Sequence, residues 1–279
     1  MMIFREGYMR NYIISAYTAS IILLGITSCN REPAVSLAVD FSSRDIWRYA
    51  FTCDIGGTFS FADSIQDLSS TIECDLVGRR TETDGRLEVR AENVEIVSNI
   101  LDEVEVDHVT NQITDASYSV ALTHDITRPH DSLLVPLAGS SEWDLYRQLI
   151  KVLPSLPGHP VRPGFSWERQ KKFPVTTSQG TADCEVYQSF TFDSIRVVTD
   201  NQKRAHVSWQ FRYAIDDAGF DQTGAFAEMP LAGNGEGAAV IDIDNNKLVN
   251  ADMVFTTPVC SLSQLTVQWE EKASLVLNN

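Results

Sequence analysis

Positive charge is scarce in this 279-residue chain: 22 lysines and arginines stand against 38 aspartates and glutamates, a formal net charge of −16. A surface this acidic is repelled by phosphate backbones, which disfavours nucleic acid as a partner. It also argues against docking on anionic lipid through a basic patch. Long hydrophobic runs are missing too. The longest mostly apolar stretch, Tyr12 to Ile26, is broken by Ser15, Thr18 and Ser20. It falls short of the roughly 20 apolar residues of a membrane-spanning helix. There is no Cys-x-x-Cys pair, and the five histidines form no cluster with the spacing of metal ligands. A Gly-x-Ser-x-Gly nucleophile elbow is absent, and Gly139-Ser140-Ser141 serves better as a helix cap. The expectation is a non-enzymatic protein with no catalytic residues, no cofactor and no metal.

What is present begins at the amino end. Met9-Arg10-Asn11 supplies a short cationic start, Tyr12–Ile26 an apolar segment, and Thr27-Ser28 a small-residue exit before Cys29. These are the three parts of an export signal. Met9 opens a more usual signal than Met1, so both start positions stay open.

The run Ile26-Thr27-Ser28-Cys29 resembles the lipobox of bacterial lipoproteins: a branched aliphatic residue, two small residues, then cysteine. The resemblance implies that residues 1–28 are removed and that Cys29 is acylated, with palmitate among the chains, as the first mature residue. An ordinary secretory signal with a chance cysteine is the competing reading. Each buried methylene contributes about 0.8 kcal/mol and one chain holds only marginally, so more than one is required for a stable anchor. Asn30 follows the cysteine; by resemblance to known sorting rules this implies outer-membrane delivery, with the side of the membrane open. Farther along, Val161-Arg162-Pro163-Gly164-Phe165-Ser166-Trp167 with its following strands weakly resembles a family of bacterial lipoproteins of unknown function. In architecture alone the body is similar to the curved, helix-lined half-barrels of periplasmic lipoprotein carriers.

Four further cysteines, Cys53, Cys74, Cys184 and Cys260, make an even set in an exported chain, which suggests two disulfides. Cys53 shares a period-two face with Trp47, Tyr49 and Phe51, and Cys74 with Ile72 and Leu76. Taking Gly56-Gly57 and a polar stretch as the connection between these strands, the expected pairs are Cys53–Cys74 and, by elimination, Cys184–Cys260. Buried thiols are the alternative.

Alternation dominates the body. Leu87, Val89 and Ala91 share one face, Tyr118, Val120 and Leu122 another, and Ala205 to Ile215 is apolar at every odd position; Leu265, Val267 and Trp269 follow suit. One-sided alternation indicates antiparallel sheet with one covered and one wet face. Ser140–Leu153 reads as the one helix, with capping hydroxyls, Trp143, Tyr146, Leu149, Ile150 and Leu153 at helical spacing, and Pro154 to stop it. Pro154–Gly164 holds four of the ten prolines and reads as a stiff connector. The fold expected is therefore mainly β, with twisted antiparallel sheets, half-barrel-like, in two related halves with one principal helix. The domain boundaries are signal 1–28, tether 29–40, N-terminal β half 41–138, helix and connector 139–164, and C-terminal β half 165–279.

Several chemical patterns invite function. Gly233-Asn234-Gly235-Glu236-Gly237 lacks the following helix of a phosphate loop and reads as a hairpin entry. Asp242–Lys247 offers oxygens for calcium but reads more simply as an Asn245-Asn246 turn. His108, His124 and His130 each adjoin an aspartate, with spacings that fit surface histidines. Trp209, Phe211, Tyr213 and Trp269 either line a pocket for an acyl chain or hydrophobic peptide, or form the core between sheet and helix. Two functions follow: a lipid-anchored envelope component, structural or partner-binding, or else a carrier of a hydrophobic ligand such as an acyl chain or a lipoprotein.

Overall fold

The computed structural model describes residues 33–39, 46–61, 64–80, 87–99, 101–120, 145–177, 180–199, 202–216, 233–257, 260–262 and 265–278. The long alternating segments form β1 (Ile46–Phe61), β2 (Ser64–Arg80), β3 (Leu87–Ser98), β5 (Ser166–Thr177), β6 (Gly180–Thr199), β7 (Gln202–Asp216), β8 (Gly233–Asp242), β9 (Lys247–Thr256) and β11 (Leu265–Asn278). Two short strands, β4 (Ser117–Val120) and β10 (Cys260–Leu262), complete the set. All pairings are antiparallel, and the strands make one open sheet in the order β4-β3-β2-β1-β11-β9-β8-β7-β6-β5, with β10 on β11.

The mainly β expectation holds; the division into two sheets does not. The last strand returns to lie between β1 and β9, and its register with β1 runs from Arg48↔Asn278 to Phe61↔Leu265. That insertion fuses the flank built from β1–β4 with the one built from β5–β9. Residues Val35–Asn279 form one compact unit. Val35 pairs with Val161 through two backbone hydrogen bonds of 2.8 Å, so the segment entering the fold is fastened to the proline connector.

Two helices are present among the described residues, α1 (Glu103–Asp115) and α2 (Leu145–Val152). Only the second was expected, and Ser140 to Asp144 of its predicted span lie outside the described residues. The unexpected α1 carries many β-branched residues, which weaken helix propensity. It is started instead by a capping box: Asp102 Oδ1 accepts from the Glu105 amide at 2.9 Å, and the Glu105 carboxylate accepts from the Asp102 amide at 3.0 Å. Val109 and Ile113 are its buried face.

The strands differ from expectation in two further places. Gly56 and Gly57 are not a connection but the interior of β1, which continues to Phe61. Gly233–Gly237 is likewise the body of β8. The Asn245-Asn246 turn is present between β8 and β9, with Asn246 in the left-handed region at φ 52°.

The expected Cys53–Cys74 disulfide is absent: both residues are buried thiols. The reason is register. Cys53 faces Ile72 and Cys74 faces Phe51, so the two cysteines are diagonal neighbours. Diagonal neighbours sit roughly 7–8 Å apart, whereas a disulfide requires Cβ atoms near 4 Å. Cys184 on β6 and Cys260 on β10 have β7, β8, β9 and β11 between them in the sheet order; their side chains lie outside the described ones.

Candidate functional site

Because the sheet is continuous, its side chains form rows that run across the strands. On the inner face one row is Trp167–Phe190–Trp209–Gly237–Met253–Ala273–Cys53–Ile72, each residue opposite the next. The next inner row is Arg169–Gln188–Phe211–Gly235–Phe255–Glu271–Ile55–Ser70. Glycine stands at each β8 position because the flanking rings lie over it. A Cβ on Gly237 would sit 2.3 Å from the Trp209 ring, and one on Gly235 2.3 Å from the Phe211 ring. Trp167 and Phe190 stack at 5.3 Å, and Phe211 and Phe255 at 5.9 Å, nearly parallel in both cases.

The predicted aromatic set is therefore brought to one face. Trp209, Phe211 and Tyr213 are 2, 3 and 4% exposed. Their surface is taken up by the protein's own core beneath α2 and the connector. Two indoles fasten that cover: Trp209 Nε1 donates to the Lys151 carbonyl at 3.2 Å, and Trp167 Nε1 to the Ser155 carbonyl at 2.7 Å. Trp269, two residues before Glu271 on β11, is partly buried and lies against Gly57 of β1.

Between cover and floor lies an ion pair that the sequence reading missed. Lys151, in the last turn of α2, bonds the Glu271 carboxylate, and both residues are buried, 2 and 0% exposed. The ammonium also lies over the Phe255 ring at 4.5 Å and the Tyr213 ring at 5.5 Å. Removing two charges from water costs several kcal/mol per ion, so such a pair does little for net stability while making any single loss expensive. Its sequence trace is Glu271, a charge inside the apolar alternation Trp269, Ala273, Leu275.

The outer face of the same strands is polar. Two adjacent outer rows, Glu168–Ser189–Gln210–Glu236–Val254 and Gln170–Tyr187–Arg212–Asn234–Thr256, line a shallow groove of about 1130 Å³ across β5–β9. It continues into a second hollow of about 610 Å³, past Ser208, Ala238 and Asp252. One wall is a hydrogen-bonded chain: Gln170 Nε2 donates to Tyr187 Oη at 3.0 Å, and Tyr187 Oη to Glu185 Oε2 at 2.6 Å. Lys172 Nζ lies 3.3 Å from Glu185 Oε1. The Tyr187 bond, then Lys172, holds the Glu185 carboxyl below its ordinary range, and the same bond raises the Tyr187 phenol.

Among the described residues, the remaining predicted sites stay apart from this groove. Asp242 is buried and takes hydrogen bonds from Gln202 Nε2 at 2.9 Å and from the Asn245 side chain and amide at 2.8 and 3.0 Å. It braces the β8–β9 turn. No cluster able to hold a metal occurs among the described residues. His108 is exposed on α1, 3.2 Å from Gln112 Nε2; His124 and His130 lie outside the described residues. Burial, then the adjoining Asp75, pushes the Cys74 thiol up to about 12, which keeps it protonated and unreactive. Cys29 also lies outside the described residues.

No protein-family model matches the chain, and no curated protein matches it either.

Proposed function

We propose that this chain is a lipid-anchored protein of the bacterial cell envelope, held in the outer membrane through Cys29, and that it binds a partner with the open face of its sheet. The carrying observation is the contrast between the two faces. Trp209, Phe211 and Tyr213 are packed into the core, while the outer rows of β5–β9 leave an open groove lined mostly by polar and charged residues. A carrier of an acyl chain or lipoprotein requires an apolar hollow of several hundred Å³; on the inner face those rings already pack on one another and on α2. A binding role requires only a surface with converging polar groups, and the groove supplies it.

The anchor has a direct test. The parent, expressed in a bacterial envelope, incorporates labelled palmitate and partitions into the detergent phase, whereas Cys29→Ala does neither. Equal labelling of both proteins overturns the anchoring half of the proposal.

A further inference from the structure

We infer that the outer groove over β5–β9 binds a neutral oligosaccharide. This deepens the partner-binding reading and rests on it. The groove crosses five strands, and four inter-strand steps of about 4.8 Å give it a length near 19 Å. Its 1130 Å³ exceeds the ~300–1000 Å³ of a typical pocket for a compact small molecule, and it is open along its length. The shape fits a short polymer lying across the strands.

Charge narrows the polymer. The chain carries −16, yet the outer rows of the groove hold only Glu168 and Glu236 against Arg212, and the wall adds the paired Glu185 and Lys172, which leaves a single net negative charge. That balance repels a polyanion, and one net charge spread along the groove gives a polycation little attraction. Side-chain chemistry narrows it further. Gln170, Gln210 and Asn234 present amides, each with a donor and an acceptor side by side. That pairing matches adjacent sugar hydroxyls, which also donate and accept. The amides of Gln210 and Asn234 make no hydrogen bond within the described residues, so they face the groove available for a ligand. Tyr187, 42% exposed, and Val254 offer apolar surface to the C–H face of a pyranose ring.

A peptide is the less favoured occupant. Extended peptides bind sheets by adding to an edge strand through main-chain hydrogen bonds. This groove lies on the face of strands whose main chains are already paired on both sides across β6–β9.

The test uses the acylated full chain in detergent micelles, titrated with cellotetraose, chitotetraose and maltotetraose. Polygalacturonate serves as a charged comparison and a neutral ten-residue peptide as the other class. At least one neutral tetrasaccharide binds saturably, with an affinity unchanged between 50 and 500 mM salt, because the ligand carries no charge to be screened. The double variant Gln210→Ala/Asn234→Ala weakens it about tenfold or more, as expected for two lost hydrogen bonds. Glu73→Gln, on the same face but on β2, leaves binding unchanged, and equal thermal midpoints show that all variants fold. Absence of saturable binding to any tetrasaccharide overturns the inference, as does binding only to the polyanion or the peptide. In the peptide case, loss of binding in the double variant keeps the partner-binding reading and removes only the sugar.

Discussion

On β7 alone, Trp209, Phe211 and Tyr213 point one way and Ser208, Gln210 and Arg212 the other. The inner set lies in crowded rows where glycine is the only residue that fits between rings. The outer face is less crowded at Gly56 of β1: a Cβ there, beside the outer-face Glu270 and Ser69, meets nothing within 4 Å. The two faces therefore have different jobs. Packing on the inner face fixes which strand lies next to which. The outer face is left with side chains whose replacement disturbs little, and such a surface can acquire a ligand without cost to the fold.

The largest expected effect lies at the buried ion pair. Lys151→Ala takes the ammonium away from the buried Glu271 carboxylate under α2, and destabilises by about 3–5 kcal/mol in urea unfolding. The double variant Lys151→Met/Glu271→Leu removes both charges and keeps the volume, so it recovers most of that loss. A double variant as unstable as Lys151→Ala would mean that the pair contributes favourably in its own right. The inner face would then depend on charge as well as on packing.

A pair of glycines sharpens the comparison at smaller scale. Gly237→Ala places its methyl against the Trp209 ring, which is boxed in by Gly237, Phe190 and the Lys151 carbonyl. Overpacking of this kind costs about 1–3 kcal/mol. Gly56→Ala, on the uncrowded side, is neutral or stabilising by up to about 1 kcal/mol, because glycine weakens a strand interior. Thermal midpoints moving the same way in both variants would contradict the assignment of crowded and open faces.

Much of this was legible because period-two alternation is a local signal. The odd-position apolar run from Ala205 to Ile215 marked β7 and its inward face without any knowledge of partners. The Asn245-Asn246 turn was legible for the same reason: two adjacent residues that tolerate left-handed backbone. Partnering was less legible. Nothing near Leu265–Asn278 says that this strand inserts beside β1, some two hundred residues earlier. The Cys53–Cys74 expectation placed both sulfurs on the correct face and failed by a two-residue offset, which face patterns cannot detect. The glycines of β8 invite the reading of a hairpin entry, because glycine usually marks a turn. Their spacing at 233, 235 and 237 was the better signal, since it matches the period of Trp209, Phe211 and Tyr213 on the neighbouring strand. The capping box at Asp102 and Glu105 was in plain view, but the valines that follow it argue against a helix. The outer groove could not be seen at all, since it is assembled from single residues on five strands.

The smallest effect tests a buried carboxylate that serves a turn, Asp242. Burial is the strongest single influence on Asp242 and pushes its carboxyl up, yet the hydrogen bonds from Gln202, the Asn245 side chain and the Asn245 and Asp244 amides together bring it below its ordinary value. A carboxyl depressed in the folded state contributes stability that is fully present above its unfolded pKa. That contribution fades as pH falls through the ordinary carboxylate range toward the folded value. Asp242→Asn keeps one acceptor oxygen but turns an amide donor toward the donors of Gln202 and Asn245, at a cost of about 1 kcal/mol near neutral pH. The gap between parent and variant in urea unfolding should therefore narrow as pH is lowered from 7 into the acidic range. A gap constant with pH would show that Asp242 braces the β8–β9 turn through shape alone, with its charge playing no part.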